Sequence, residues 1–204
     1  MKPIKSLLVL AFLCVPALAS AQGYRHRRGD VYTPGGFHNR AGHLTFGGSL
    51  GLGFMHDNGS AITSCNNCDI KPYAGEADLH IGGMLSNRFG LMFEVQGNFQ
   101  TVHASFRDND TVLTQSAAML AAQFWIIPQL WIKGGLGFSN LNVDNGYFTD
   151  DLGNGVAAMI AGGVELFSAR NFALELQGRL IEGTYNGGDD HVTSGTIGVG
   201  LNWY

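Results

Sequence analysis

Two residues near the end of one predicted strand have the types needed for nucleophilic chemistry. His103 and Ser105 are two positions apart, so in an extended strand their side chains point to the same face. A histidine beside a serine can act as the base that activates the hydroxyl. Phe106 follows the serine, however, and no downstream glutamate is well placed to orient the histidine. We therefore interpret both as polar residues at the edge of an apolar strand face and expect no catalytic residues.

A second candidate is the motif Cys65-Asn66-Asn67-Cys68, which lies in the longest predicted loop. A metal site would need two further ligands, and the nearby His56, Asp57 and Asp69 do not supply a matching pair. Exported thiols are normally oxidised, and the N-terminus of this chain indicates export. We expect a disulfide between Cys65 and Cys68, no metal and no cofactor.

The third candidate is a set of charged and amide side chains that alternate with apolar residues. Facing one another across a narrow interior, they would form ion pairs and amide hydrogen bonds. A polar network that fills this interior is the favoured interpretation, and a narrow gated pore or proton path is the alternative. The predicted network consists of Glu76, Asp78, His80, Glu94, Gln96, Lys133, Glu165, Glu175 and Arg179.

The N-terminus has the pattern of an export signal. Lys2 and Lys5 precede an apolar run over 7–18, and Ala19-Ser20-Ala21 supplies small residues for cleavage, which predicts a signal peptide over 1–21. A membrane helix needs about 20 apolar residues, so this run is too short for one. The glycine-rich segment 22–42, with the basic cluster over 24–28, predicts a flexible periplasmic arm.

From residue 43 onward, apolar and polar residues alternate with a period of two, which is typical of β-strands. Closure into a barrel is the way in which such a sheet satisfies its edge hydrogen bonds in a membrane. Residues 43–204 therefore predict an all-β, eight-stranded antiparallel up-and-down transmembrane β-barrel. The predicted strands span 44–55, 73–85, 89–106, 112–127, 130–143, 156–167, 172–181 and 192–204.

The connections support this arrangement because short and long ones alternate. Short links fall at 86–88, 128–129 and 169–171, whereas 57–72, 107–111, 144–155 and 183–191 are longer. Outer-membrane barrels have short periplasmic turns and longer extracellular loops. Aromatic residues near the short links predict a periplasmic girdle facing the lipid headgroups, formed by Trp125, Trp131, Phe172, Trp203 and Tyr204.

Composition and charge narrow the classes of function. The 12 Lys and Arg residues are outnumbered by 16 Asp and Glu residues, so the chain lacks the basic balance expected of a nucleic-acid binder. A soluble exported barrel of the lipocalin type would place its apolar side chains inside instead of outside. The aromatic residues near the short turns and the 30 glycines favour the membrane arrangement.

The chain resembles the small eight-stranded outer-membrane β-barrels, which include the OmpA-type transmembrane domain and the OmpX/Ail type. The resemblance covers about 44–204 and depends on the architecture, the stretch Gln123 to Gly137 and the aromatic end Trp203-Tyr204. It implies the bacterial outer membrane, contacts with outer-membrane lipid and lipopolysaccharide, and recognition by the barrel-assembly machinery.

The resemblance also implies a non-enzymatic, porin-like envelope protein whose extracellular loops stabilise the surface or contact an external partner. Two alternatives stay open beside it. One is a narrow gated pore, and the other is a lipid A-modifying barrel enzyme, because lipid A deacylases of this barrel type use a His-x-Ser arrangement like that of His103 and Ser105.

Overall fold

The computed structural model describes residues 39–58, 60–61, 68–70, 74–104, 110–144, 149–169 and 172–204. A three-residue 3-10 turn, Asn186–Gly188, joins the last two strands. Within the described ranges, no helix has the length and apolar character needed to cross a bilayer. The strands are β1 Leu44–Asp57, β2 Ser60–Ala61, β3 Cys68–Ile70, β4 Ala74–Met84, β5 Phe89–Ala104, β6 Asp110–Ile127, β7 Leu130–Asp144, β8 Thr149–Ser168, β9 Phe172–Tyr185 and β10 Asp190–Trp203.

Eight long antiparallel strands close into a barrel. β1 pairs with β4, each strand from β4 to β9 pairs with the next, and β10 returns to pair with β1. The two short strands lie in the first long connection, where β2 pairs with β1 and β3 pairs with β5. The predicted eight-stranded up-and-down barrel is confirmed, and the two short strands were not predicted.

Residues that alternate with a period of two in the sequence point alternately into the barrel interior and toward its outer surface. On β9, Leu176 and Leu180 are exposed on the outer surface, whereas Glu175, Gln177 and Arg179 are buried inside. Because side chains of an extended strand alternate between the two faces, each strand carries both environments.

Strands extend further than the sequence indicates at the end with the longer connections. β8 begins at Thr149 instead of residue 156, and β9 continues to Tyr185 instead of 181. Most of the predicted loop 144–155 is thus paired with β7, because ladder hydrogen bonds join main-chain groups and tolerate the polar and glycine residues found there. The turn that follows β9 is tight and places Asn186 and Gly187 at positive φ.

Two ends of the barrel are distinguished below. The turn end carries the links at 85–88 and 128–129, the end of β8, the start of β9 and both described chain termini, and the loop end carries the opposite ends of the strands. Bulges at the turn end interrupt the ladder between Trp125 and Ile127 and between Glu165 and Phe167.

Candidate functional site in the barrel interior

Arg179 is the centre of the charge network in the middle of the barrel. Its Nη1 lies 2.8 Å from Glu76 Oε1, and its Nη2 lies 2.9 Å from Asp78 Oδ2 and 3.0 Å from Glu94 Oε1. Nη1 also donates to Gln96 Oε1 at 2.7 Å. The guanidinium on β9 therefore binds side chains of β4 and β5 on the opposite wall. These ion pairs and hydrogen bonds cross the interior.

Lys133 and His80 complete the central network. The Lys133 ammonium lies 3.0 Å from Glu94 Oε2, so Glu94 is shared between two cations. The Nδ1 of His80 lies 3.1 Å from Asp78 Oδ1, while its Nε2 contacts the side-chain oxygen of Asn202. His80 thus links the side chains of β4 and β10, the two strands that flank β1 in the barrel.

All nine residues of the predicted network are buried inside the barrel, but they form two groups. Seven belong to the central network, whereas Glu165 and Glu175 lie toward the turn end. There they accept hydrogen bonds from indoles, Glu165 Oε1 from Trp125 Nε1 at 2.7 Å and Glu175 Oε2 from Trp131 Nε1 at 2.9 Å. The sequence did not separate these two groups.

The expected girdle is wrong for Trp125 and Trp131. Their exposed fractions are 1% and 0%, and both rings fill the interior near the turn end. Each shares strand parity with an inward polar residue, Gln123 on β6 and Lys133 on β7, so the alternation sends the rings inside. The indole N–H groups then pair with buried carboxylates, which lipid could not provide.

Phe172 and Trp203 do lie on the outer surface, with exposed fractions of 36% and 38%. Trp203 stacks on Phe46 of the neighbouring strand, with ring centroids 5.2 Å apart. Tyr204 departs from the girdle because its ring packs edge-on against Trp125 at the mouth of the barrel. The Tyr204 hydroxyl donates to Glu165 Oε1 at 3.4 Å.

Arg40 lies in the same mouth, although it precedes the first strand. Its Nη2 lies 2.7 Å from both carboxylate oxygens of Glu165, and its guanidinium carbon lies 4.7 Å from the Trp125 ring and 4.4 Å from the Tyr204 ring. The main-chain N–H of Arg40 also donates to Asn87 Oδ1 at 3.2 Å. Arg40 was expected in a flexible arm over 22–42, and this part of that expectation is wrong because the arginine is buried in the barrel.

The loop end of the interior contains an apolar layer. Tyr185 is its largest member, and its hydroxyl accepts from Gln115 Nε2 at 3.0 Å and contacts Ser139. Gln115 and Ser139 thus supply hydrogen-bond partners for the Tyr185 hydroxyl, a polar group that lies inside an apolar cluster. The layer consists of Met55, Ala74, Leu113, Leu141, Tyr185 and Val192, none of which was expected as a site residue from the sequence.

Two sequence-based candidates fall on residues outside the described ranges. Cys65 is one of them, so the predicted disulfide stays a prediction, although Cys68 belongs to β3 and pairs with Ala104. Ser105 is another, while the backbone of His103 pairs with Asp69 and Asp110 in the ladder. The His-x-Ser arrangement therefore stays a prediction as well.

A closed eight-stranded barrel with apolar residues outside and charged residues inside is a small outer-membrane β-barrel. No family model matches the chain, and no curated protein does. Among solved structures, it is similar to Ail of Yersinia pestis in complex with the heparin analogue sucrose octasulfate, with a TM-score of 0.54 and 12% identity over 78% of this chain and 99% of that one. It is also similar to Neisserial surface protein A, with a TM-score of 0.52 and 13% identity over 78% of this chain and 95% of the other.

Proposed function

We propose that the protein is a non-enzymatic outer-membrane barrel whose interior is closed and whose extracellular loops contribute to envelope integrity or to surface interactions. The observation that supports the proposal is that buried side chains occupy the interior at three levels. These are the Arg40 mouth at the turn end, the Arg179 network in the middle and the Tyr185 layer at the loop end.

Each level blocks ions for a different physical reason. At the turn end, two indole rings and a paired guanidinium fill the opening. In the middle, Arg179 holds three carboxylates across the barrel, and an eight-stranded barrel is only wide enough for its side chains to fill. At the loop end, a passing ion would meet an apolar layer that cannot replace its hydration. A narrow gated pore would have to open all three.

We propose that the turn end faces the periplasm and the loop end faces the cell exterior, as in other outer-membrane barrels. The described part of the loop end is acidic, and Ail was crystallised with a polyanion. An acidic rim repels such a ligand, so a partner of this chain should present cationic groups. The exposed carboxylates of the rim are Asp57, Asp144, Asp150, Asp151 and Asp189.

Conductance across planar bilayers tests the closed interior. The purified wild type should give no stepwise channel events, and Lys133→Ala and Arg179→Ala should stay closed because the two outer levels persist. Regular single-channel steps in the wild type would contradict a closed interior and favour the pore. If the wild type gives no channel events but Arg179→Ala conducts, the central network alone is the barrier to ions.

Envelope function is tested in cells. A deletion strain should take up an apolar fluorescent dye faster than the parent, and expression of the wild type should restore the barrier. Identical spectra of lipid A from cells expressing wild type or His103→Ala are expected if the protein has no lipid-modifying activity. A lipid A species that depends on His103 would overturn the non-enzymatic assignment.

A further inference from the structure

The outer surface of β6, β7 and β8 changes from apolar to polar in one row that crosses all three strands. Ser116 pairs with Asn140, and Asn140 pairs with Asn154. Directly below this row on β7, Leu136 and Phe138 are exposed by 70% and 76%. A second polar row follows toward the loop end. The two rows form what we call the asparagine face, which consists of Thr114, Ser116, Asn140, Asn142, Asp151 and Asn154.

The side chains of the asparagine face are held in place by hydrogen bonds to one another. Asn140 Nδ2 donates to Asp151 Oδ1 at 3.0 Å and to Asn154 Oδ1 at 3.1 Å. The Asn142 amide in turn donates to Asn140 Oδ1. Asp151 Oδ1 also accepts from the main-chain N–H of Gly153 at 3.0 Å. Because these contacts fix the side chains before a ligand arrives, binding at this face loses little side-chain entropy.

These contacts leave both a donor and an acceptor unused. Within the described ranges, Asn154 Nδ2 and Asn142 Oδ1 have no protein partner. Ser116 and Thr114 add hydroxyl groups on the neighbouring strand. A sugar hydroxyl both donates and accepts, so neighbouring hydroxyls of a sugar ring can use both kinds of group. A phosphate offers acceptor oxygens and can use only the donors. The chemistry of the face therefore matches a sugar.

The depth and direction of the asparagine face determine where such a sugar lies. Ten residues separate Leu130 at the turn end of β7 from Asn140. At about 3.3 Å per residue and a tilt of about 40°, this places Asn140 roughly 25 Å above Leu130, which is the height of the apolar band of such barrels. Because side chains stand roughly perpendicular to a sheet, the face points along the membrane plane. Its partner therefore lies beside the barrel, just above the acyl chains.

We propose that the asparagine face binds the core sugars of one neighbouring lipopolysaccharide molecule. The Asn154 amide donates to a sugar hydroxyl, Asn142 Oδ1 accepts from another, and Asn140 positions both side chains. This proposal rests on the proposed orientation of the barrel, in which the loop end faces the cell exterior and so lies in the lipopolysaccharide leaflet. Because the acyl chains hold the lipid beside the barrel, its sugars meet the face at a high effective concentration.

Native mass spectrometry of the barrel tests this in an amine-oxide detergent, which has no sugar headgroup to compete. Lipid A and a lipopolysaccharide that carries the same lipid A with its core sugars are supplied separately. The wild type should retain the core-bearing molecule roughly threefold to tenfold better, the range expected for about two exposed hydrogen bonds. The double variant Asn142→Ala and Asn154→Ala removes the unused acceptor and donor, and it should abolish this preference.

Thr193→Ala is the matched control, because Thr193 lies ten residues from Trp203 on β10 and so at the same depth, outside the asparagine face. It should keep the wild-type preference, and unboiled gel mobility checks that each variant is folded. Equal retention of the two lipids by the wild type, or an unchanged preference in the double variant, would overturn the proposal.

Two further results would replace the partner. Free core oligosaccharide that binds as tightly as the intact lipopolysaccharide would identify a soluble glycan, and a dimer that the double variant abolishes would identify a second copy of the chain. Either result would overturn the proposal. Lipid retention in detergent requires neither a closed interior nor an envelope phenotype, so this proposal and the proposed function can fail separately.

Discussion

Replacing Arg40 with methionine should lower the free energy of unfolding of the barrel by about 2–4 kcal/mol. Methionine keeps much of the aliphatic packing of arginine in the mouth, so the change removes mainly the guanidinium. What remains is Glu165, a buried carboxylate that loses the cation touching both of its oxygens.

The magnitude follows from the partners on each side of the guanidinium. Removing one member of a buried ion pair costs about 3–5 kcal/mol, and each of the two ring contacts adds up to about 1 kcal/mol. Two effects reduce the sum. Glu165 keeps its hydrogen bonds from Trp125 and Tyr204, and the vacated mouth admits water to the carboxylate.

Urea titration in lipid vesicles, followed by tryptophan emission, measures this loss. The control is Arg88→Met, which makes the same change at an exposed arginine in the neighbouring turn and should change stability by less than about 1 kcal/mol, because contacts of exposed charges are weak. In a double-mutant cycle, Arg40→Met with Glu165→Gln should cost roughly 1–3 kcal/mol less than the sum of the single changes. Additive effects, or a loss from Arg40→Met no larger than that of the control, would refute the reasoning.

Three further predictions follow from the interior and from the last strand. Arg179→Met should destabilise the barrel by at least about 1 kcal/mol more than Lys133→Met in the same titration, because it removes ion pairs to three carboxylates instead of one, and Glu94 keeps a cation in either variant; equal losses would contradict this. In variants that keep a single tryptophan, brominated acyl chains should quench Trp203 strongly and Trp125 weakly, and similar quenching of both would place Trp125 on the outer surface. If the assembly machinery reads the last lipid-facing aromatic, Trp203→Ala should lower the heat-modifiable fraction in the outer membrane several-fold, while Tyr204→Ala should not.

The sequence predicts the barrel and the direction of most side chains because both depend on one local rule, the alternation along a strand. Lys133 and Arg179 could be placed inside for that reason. The same rule points Trp125 and Trp131 inward, and the prediction failed where closeness to the short turns was given more weight than parity. Arg40 could not be found in this way, since it precedes the first strand and no periodicity reaches it. Its position depends on a contact with Glu165, 125 residues away in the chain.

Charge balance explains why a residue from outside the strands belongs to the interior. Within the described ranges, the interior holds the carboxylates of Glu76, Asp78, Glu94, Glu165 and Glu175, and the strands supply two arginine or lysine cations against them. These two cations, Lys133 and Arg179, both belong to the central network, where each forms an ion pair with Glu94. Arg40 brings the third cation to Glu165 at the turn-end mouth, which already accepts a hydrogen bond from the Trp125 indole. Because the barrel must be closed before this mouth exists, we expect Arg40 to dock late in folding, so Arg40→Met should speed unfolding more than it slows folding. Folding and unfolding rates of the wild type and Arg40→Met in vesicles show which of the two rates the change affects more. A variant that mainly folds more slowly would show that the mouth forms early.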